Sequence, residues 1–267
     1  MGQRFKTIGE VMAHLQKRME EIQSRSMNQE NGTTSTSTTS NEEKYDCPKC
    51  KDIGFIITGR NTARECECVV QRRINRLFKA SQITDEFKKL SFKNFITKGK
   101  PQVIVDAYKC AANYCKVFPE IRNTRHNSIC LLGQPGSGKT HLLIAASNYL
   151  LKRGVSVLYF PYREGFDEIK DDLDALEEKA SRMKEVDVLF IDDLYKRGAT
   201  EFEIKTMFSV INYRYLNHKP IMVSSELLED DLLDIDEALG SRILEMGKDF
   251  TVAITGDRKL LNHRLAK

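Results

Sequence analysis

The sequence predicts an α/β protein, a mainly parallel sheet with helices on both faces. Two observations lead there. Short apolar runs (Ser128–Leu132, Ser156–Phe160, Val186–Ile191, Ile221–Ser225 and Phe250–Ile254) recur after about residue 101, with helical patterns between them. The first run leads directly into the glycine-rich stretch Gly133–Thr140, which opens a helical stretch from Lys139 to Leu151. Strand, glycine turn and helix in that order form the start of a strand–helix–strand unit.

The 267 residues allow one large domain or two unequal ones. With 40% hydrophobic and 30% charged residues, the composition excludes collagen-like, mucin-like and wholly disordered chains. A net charge of +4 is too mild to imply nucleic acid by itself. No apolar run approaches the ~18 residues of a membrane span. Met1–Lys6 carries no apolar signal core. A cytoplasmic protein without membrane contact is therefore expected, and its seven cysteines read as thiols or metal ligands rather than disulfides.

Residues 1–27 come first. Phe5, Ile8, Val11, Met12, Leu15, Met19 and Ile22 form one apolar stripe at helical spacing, with Lys6, Glu10, Lys17, Arg18, Glu20 and Glu21 opposite. So short a helix is marginal alone and should bury its stripe, against this chain or a partner. Residues 28–43 contain no hydrophobe and read as a mobile Ser/Thr tether, which favours the partner.

Residues 44–70 hold Cys47-Pro48-Lys49-Cys50 and Cys66-Glu67-Cys68. Four thiolates at this spacing can close a tetrahedral site on Zn²⁺. Asp52-Ile53-Gly54 suits a turn, and Phe55–Ile57 with Arg64-Glu65 suggests a hairpin linking the pairs. So small a region has few core hydrophobes, and the metal would supply much of its folding energy. Cys110, Cys115 and Cys130 sit in apolar surroundings and read as core thiols.

Residues 71–100 form a basic connecting segment. From Lys44 to Lys100 there are fourteen basic and six acidic residues, so the positive charge is concentrated here. Arg72, Arg73, Arg76 and Lys79 lie on a helical pattern, with Phe87, Phe92 and Phe95 following; phosphate pairing and base stacking is one reading, a solvated linker helix the other. Residues 101–267 make the α/β domain.

Gly133-Gln134-Pro135-Gly136-Ser137-Gly138-Lys139-Thr140 fits the phosphate-binding pattern G-x-x-x-x-G-K-[ST] between a strand and a helix. Its glycines let backbone N–H groups converge on phosphate oxygens, Lys139 reaches the β- and γ-phosphates, and the Thr140 hydroxyl serves Mg²⁺. Val186–Ile191 ends in Asp192-Asp193. The carboxyl end of a buried strand delivers these beside the loop, Asp192 toward Mg²⁺ and Asp193 toward the attacking water.

The loop, this acidic pair and Gly240-Ser241-Arg242 resemble the AAA+ ATPases. Within them, Gly136-Ser137-Gly138-Lys139-Thr140-His141 and Ile191-Asp192-Asp193-Leu194 resemble the DnaC/DnaI-type helicase loaders, phage versions included. The resemblance covers about Lys44 to the C-terminus and implies a three-layer P-loop AAA+ domain that hydrolyses ATP, with His141 joining the loop residues around the nucleotide. It implies that Arg242 projects into a neighbouring subunit's ATP site, so that copies associate through that site. Strand 220–226 resembles the family's sensor strand, but Glu226 stands where Asn is expected, and Ser225 is the candidate to share or replace that contact. Residues 255–265 resemble the segment carrying a second sensor arginine; Arg258 and Arg264 both qualify, with Arg264 preferred. Loaders with an N-terminal zinc module are similar around Cys47–Cys68.

The expected function is ATP-dependent delivery of a DnaB-type replicative hexameric helicase to single-stranded DNA. In this scheme residues 1–27 grip the helicase, ATP promotes assembly and DNA contact, and hydrolysis permits release. An insertion near Tyr162–Glu185 contacts single-stranded DNA in related loaders; here its acidity leaves Tyr159, Tyr162 and Arg163 as the candidate contacts. Two rivals remain: a transposition-helper ATPase of the IstB type, not expected to carry the cysteine cluster, and a regulatory inhibitor that binds ATP without turnover.

Overall fold

The computed structural model describes residues 45–59, 62–196 and 198–265. The expected helix over 1–27 and the tether over 28–43 lie outside them. By its contacts the chain divides into two units, Met1–Pro48 and Lys49–Lys267.

The second unit begins with an antiparallel hairpin, β1 (Phe55–Gly59) and β2 (Thr62–Glu65), paired Phe55 to Glu65 and Ile56 to Arg64. Helix α1 (Glu67–Ala80) follows and runs unbroken across the 70/71 boundary drawn from the sequence. Two short 3₁₀ turns, Phe87–Lys89 and Phe92–Asn94, lead to α2 (Gln102–Ile121). Then come β3 (Ile129–Gly133), α3 (Lys139–Leu151), β4 (Val157–Pro161), α4 (Tyr162–Ile169), α5 (Leu173–Glu185) and β5 (Val188–Asp192). The chain continues with α6 (Glu201–Leu216), β6 (Ile221–Ser225), α7 (Glu229–Ile235), α8 (Glu237–Met246), β7 (Thr251–Ile254) and α9 (Arg258–Leu261).

The main sheet has five strands in the order β4-β5-β6-β3-β7, and every neighbouring pair is parallel. Alternate residues of each strand face opposite layers. Ile129, Leu131, Val157, Tyr159, Val188 and Phe190 join one core with α2 and α3; Cys130, Leu132, Leu158, Phe160, Leu189 and Ile191 join the other with α4, α6 and α8. Both faces are therefore covered, which is why these strands read as continuous apolar runs. Helix α2 presents Ile104, Ala107, Ala111, Tyr114 and Phe118 to the first core at the three- and four-residue steps of one helical face.

Sequence and structure differ in instructive places. Val186 and Asp187 stand before β5 rather than in it. The Asp187 carboxylate accepts from the backbone N–H and hydroxyl of Ser156, while the Val186 carbonyl accepts from Arg214. The helical pattern over 162–185 splits into α4 and α5, the latter capped by Asp172, whose carboxylate accepts from the Ala175 N–H.

The aromatic residues considered for base stacking are committed to packing. Phe87 lies T-shaped on Tyr159, Phe92 on Tyr108, and Phe95 stacks on Tyr108 while only 8% exposed. Tyr159 and Tyr162 are likewise buried, so neither presents a ring for nucleic acid. Phe87, Phe92, Phe95 and Tyr159 belong to the core that holds the connecting segment to the domain, and Tyr162 to the opposite one. The Asn148 amide secures that segment further by donating to the carbonyls of Phe87 (3.0 Å) and Leu90 (2.8 Å).

Among the described residues no helix is long and apolar enough to cross a membrane. Cys115 and Cys130 are buried and Cys110 half-buried; burial pushes their thiols up, Cys110 to about 11 and the other two to about 12.

Candidate functional site

The glycine-rich loop leaves β3 at Gly133 and enters α3 at Lys139. Gly133 has φ +108°, and a Cβ there would overlap the Ile254 carbonyl of β7, so the close strand pairing and the turn both require glycine. Gly138, at φ +91°, caps α3, and a Cβ there would strike the Phe95 ring. Hydrogen bonds hold the loop from within and from outside. The Gln134 side chain donates to the Gly256 carbonyl at 2.9 Å, Ser137 donates to the Gln134 carbonyl at 2.7 Å, and the His263 N–H donates to the Gly136 carbonyl at 2.8 Å.

Lys139 is almost wholly buried, and its ammonium donates to the carbonyls of Gly133 (2.6 Å) and Gln134 (2.9 Å). Burial lowers its pKa, while Asp193, Glu226 and Asp192 oppose that shift. A cation kept at the loop's mouth by two carbonyls can exchange them for phosphate oxygens.

Asp192 ends β5, buried, and is bound by three hydroxyls. Thr140 donates to Oδ1 at 2.9 Å, Ser224 makes a short hydrogen bond to the same oxygen, and Tyr159 donates to Oδ2 at 3.1 Å. Burial raises its pKa, and hydrogen bonds from Ser224, Thr140 and Tyr159 counter the rise. Thr140 and Asp192, the two residues assigned to magnesium, are thus adjacent. Asp193 turns the other way. It adopts φ +55°, its N–H donates to the Ser224 hydroxyl at 2.8 Å, and its carboxylate accepts from Lys196 at 2.6 Å.

Lys139, Thr140 and Asp193 open onto one cleft of about 350 Å³. Of the residues assigned from the sequence, Pro135, Gly136, Gly138, Lys139, Thr140, His141, Asp193 and Arg264 line it. Gly133, Gln134, Ser137 and Asp192 are not among its lining residues. Ser225 is fully buried, and its hydroxyl donates to the Leu194 carbonyl at 2.7 Å and accepts from the Leu227 N–H; its neighbour Ser224 is the serine that touches Asp192. Arg264 reaches the cleft, whereas Arg258, at the start of α9, is not among its lining residues. Arg242 lies on α8, its guanidinium over the rings of Phe208 and Tyr215 and hydrogen-bonded to the Ala238 carbonyl, outside its own chain's cleft.

The structure adds residues around the cleft that pattern reading did not assign to it: Ser224, Lys196, His263 and Asn94, together with Tyr159 and Phe95, which the sequence offered only as nucleic-acid contacts. Of the first four, only Lys196 left a trace in the sequence, as a basic residue three positions after Asp193 on what proves to be a turn. His141 meets the connecting segment, its Nε2 lying 3.1 Å from Asn94 Oδ1 and its ring T-shaped to Phe95.

The cysteines converge. Cys50 and Cys68 sulfurs are 3.3 Å apart, and the Gly54 N–H donates to the Cys50 sulfur. Cys66 occupies the N-cap of α1, so that pair straddles a helix start. With Cys47, on the same turn as Cys50, four sulfur atoms lie within 4.8 Å of one another, and three of the four residues are buried. Four thiols so close, one accepting an N–H as a thiolate would, suit a tetrahedral soft-metal site.

Comparison with known proteins gives a family and a fold. Residues 25–256 match the family described as IstB-like ATP binding protein. Phage-like element PBSX protein XkdC of Bacillus subtilis (strain 168) is 50% identical over 235 residues, covering 85% of this chain and 88% of XkdC. The solved structure of DnaI matches with TM-score 0.54 at 23% identity, over 65% of this chain and 95% of that one, a likeness of fold. The replication initiator DnaA bound to AMPPCP and single-stranded DNA matches with TM-score 0.52 at 26% identity, over 67% of this chain and 53% of that one.

Proposed function

This chain belongs to the IstB-like ATP binding proteins, with an AAA+ P-loop fold like that of DnaI, and from that premise we propose that it is an ATP-driven loader of a DnaB-type replicative helicase onto single-stranded DNA. The observation that carries the reading is one cleft lined by Lys139, Thr140, Asp193 and Arg264 in a chain that also carries a four-cysteine cluster ahead of its ATPase domain. The likeness to the replication initiator DnaA bound to AMPPCP and single-stranded DNA supports a role in replication.

In this reading the triphosphate lies on the loop, with Lys139 on the β- and γ-phosphates. Thr140 and Asp192 hold Mg²⁺, which neutralises phosphate charge, and the three hydroxyls fix the plane of that carboxylate. Asp193 orients the attacking water, and Arg264 stabilises charge on the terminal phosphate. Arg242 completes a neighbouring copy's site once it leaves its aromatic shelf. Cys47, Cys50, Cys66 and Cys68 hold Zn²⁺, which folds the hairpin. Residues 1–27 grip the helicase.

Lys139→Ala should lower nucleotide affinity and hydrolysis by about 100-fold or more and abolish helicase loading. Unchanged loading by that variant overturns the reading. Removing residues 1–43 should abolish co-purification with the cognate helicase; intact co-purification refutes the grip.

The family's own description favours a second reading, a transposition-helper ATPase of the IstB type. The cysteine cluster separates the two. One zinc per chain together with helicase capture supports the loader; transposase capture without bound zinc supports the helper.

A further inference from the structure

The cleft holds a cation, Lys196, and a carboxylate, Glu226, that the ATP reading does not use. Lys196 Nζ lies 2.6 Å from Asp193 Oδ2 and 3.4 Å from Glu226 Oε1, and all three side chains line the same cleft as Lys139 and Thr140. The turn that carries Lys196 is held in an unusual shape. Asp193 and Tyr195 both have positive φ, +55° and +59°, which non-glycine residues adopt only when their surroundings enforce it. Here β6 enforces it. The Leu194 N–H donates to the Ser224 carbonyl at 2.9 Å, the Ser225 hydroxyl donates to the Leu194 carbonyl, and the Asp193 N–H donates to the Ser224 hydroxyl. The ends of β5 and β6 are thereby stitched together, and Lys196 is the cation set between their two carboxylates.

Resting on the ATP-cleft reading, we propose that Lys196 is the residue by which this chain distinguishes ATP from ADP, its ammonium passing from Asp193 and Glu226 to the terminal phosphate. Charge and position argue for this. A nucleotide whose inner phosphates sit on the glycine loop directs only its last phosphate toward the ends of β5 and β6. There it meets Asp193 and Glu226, two carboxylates that repel it unless a cation intervenes. Lys196 is that cation, and the pair of carboxylates keeps it charged against partial burial. With about a third of its side chain exposed, it can turn toward a phosphate without disturbing the core. Glu226, standing where the resemblance leads one to expect Asn, then has a physical role as the ammonium's resting partner. ADP ends one phosphate short of this cation and leaves the Lys196–Asp193–Glu226 cluster as it is.

The test is equilibrium binding of ADP and of a non-hydrolysable ATP analogue, each with Mg²⁺, to the full chain and its variants. Lys196→Ala should weaken the analogue tenfold or more while leaving ADP within threefold. Lys196→Arg, which keeps the charge, should restore most of the preference, and adding Glu226→Gln to Lys196→Ala should recover part of it by removing an unneutralised carboxylate. Equal weakening of both nucleotides, or no change in either, overturns the assignment while the ATP reading stands. If the unaltered chain binds neither nucleotide, the ATP reading itself falls and this inference falls with it.

Discussion

The phenol of Tyr159 donates to Asp192 Oδ2 at 3.1 Å, from a neighbouring strand and from within the core. Burial and the adjacent carboxylate push the phenol's pKa well above its ordinary value, so it stays protonated and acts only as donor. Because Thr140 and Ser224 occupy the other oxygen, the carboxylate cannot rotate. Tyr159→Phe should leave the fold intact, lower hydrolysis about tenfold, and raise the magnesium needed for half-maximal rate, as loss of an outer-shell partner does in metal sites. A magnesium titration of ATPase activity checks this; an unaltered titration shows that the carboxylate needs no support from β4.

Two arginines near the C-terminal end separate cleanly. Arg264 lines the cleft, and Arg258 does not. Arg264→Ala should weaken an ATP analogue by roughly tenfold to a hundredfold, the worth of a charge-assisted hydrogen bond. Arg258→Ala should stay within twofold. Calorimetric titration of both variants decides between them.

Arg214 is fully buried on α6, and its guanidinium donates to the carbonyls of Met183, Lys184, Val186, Asp187 and Pro220. It ties the end of α5 to the starts of β5 and β6. Arg214→Met strands several buried acceptors at once and should destabilise the protein by about 3–5 kcal/mol. Urea unfolding measures the loss. A change under 1 kcal/mol means that water replaces the guanidinium.

The core thiols make stability fall in alkali. Cys115 and Cys130 are raised to about 12 from an ordinary value of 9.0. The folded form therefore keeps protons that the unfolded form releases, and their contribution is complete below pH 9 and lost as pH rises toward 12. Cys115→Ala should flatten the decline in unfolding free energy over that window. The same decline in the variant removes Cys115 as its cause.

The sheet and the phosphate loop were legible because burial on both faces writes strands as apolar runs, and because a close backbone turn admits glycine alone at positions such as Gly133. The cysteine cluster was legible for a similar reason, since ligand spacing is local. Tyr159 and Ser224 were not. Each reads as an ordinary strand residue, and only the order β4-β5-β6 brings their hydroxyls to Asp192. Phe87, Phe92 and Phe95 left two readings open because an aromatic beside a basic run looks the same whether it stacks on a base or on Tyr108 and Tyr159. Lys196 showed only as a basic residue near Asp193, because sequence spacing does not reveal the positive φ values of the turn that sets it between two carboxylates.

Strand β4 is the outermost on its side of the sheet, and its outward N–H at Tyr159 is taken at 2.8 Å by the Ser81 carbonyl. The connecting segment thus seals a rim that would otherwise offer itself to strands of other molecules, the usual route to aggregation. A protein trimmed to begin at residue 101 would lose that seal together with the Phe87 ring that covers Tyr159, and it should turn sticky even with its glycine-rich loop whole.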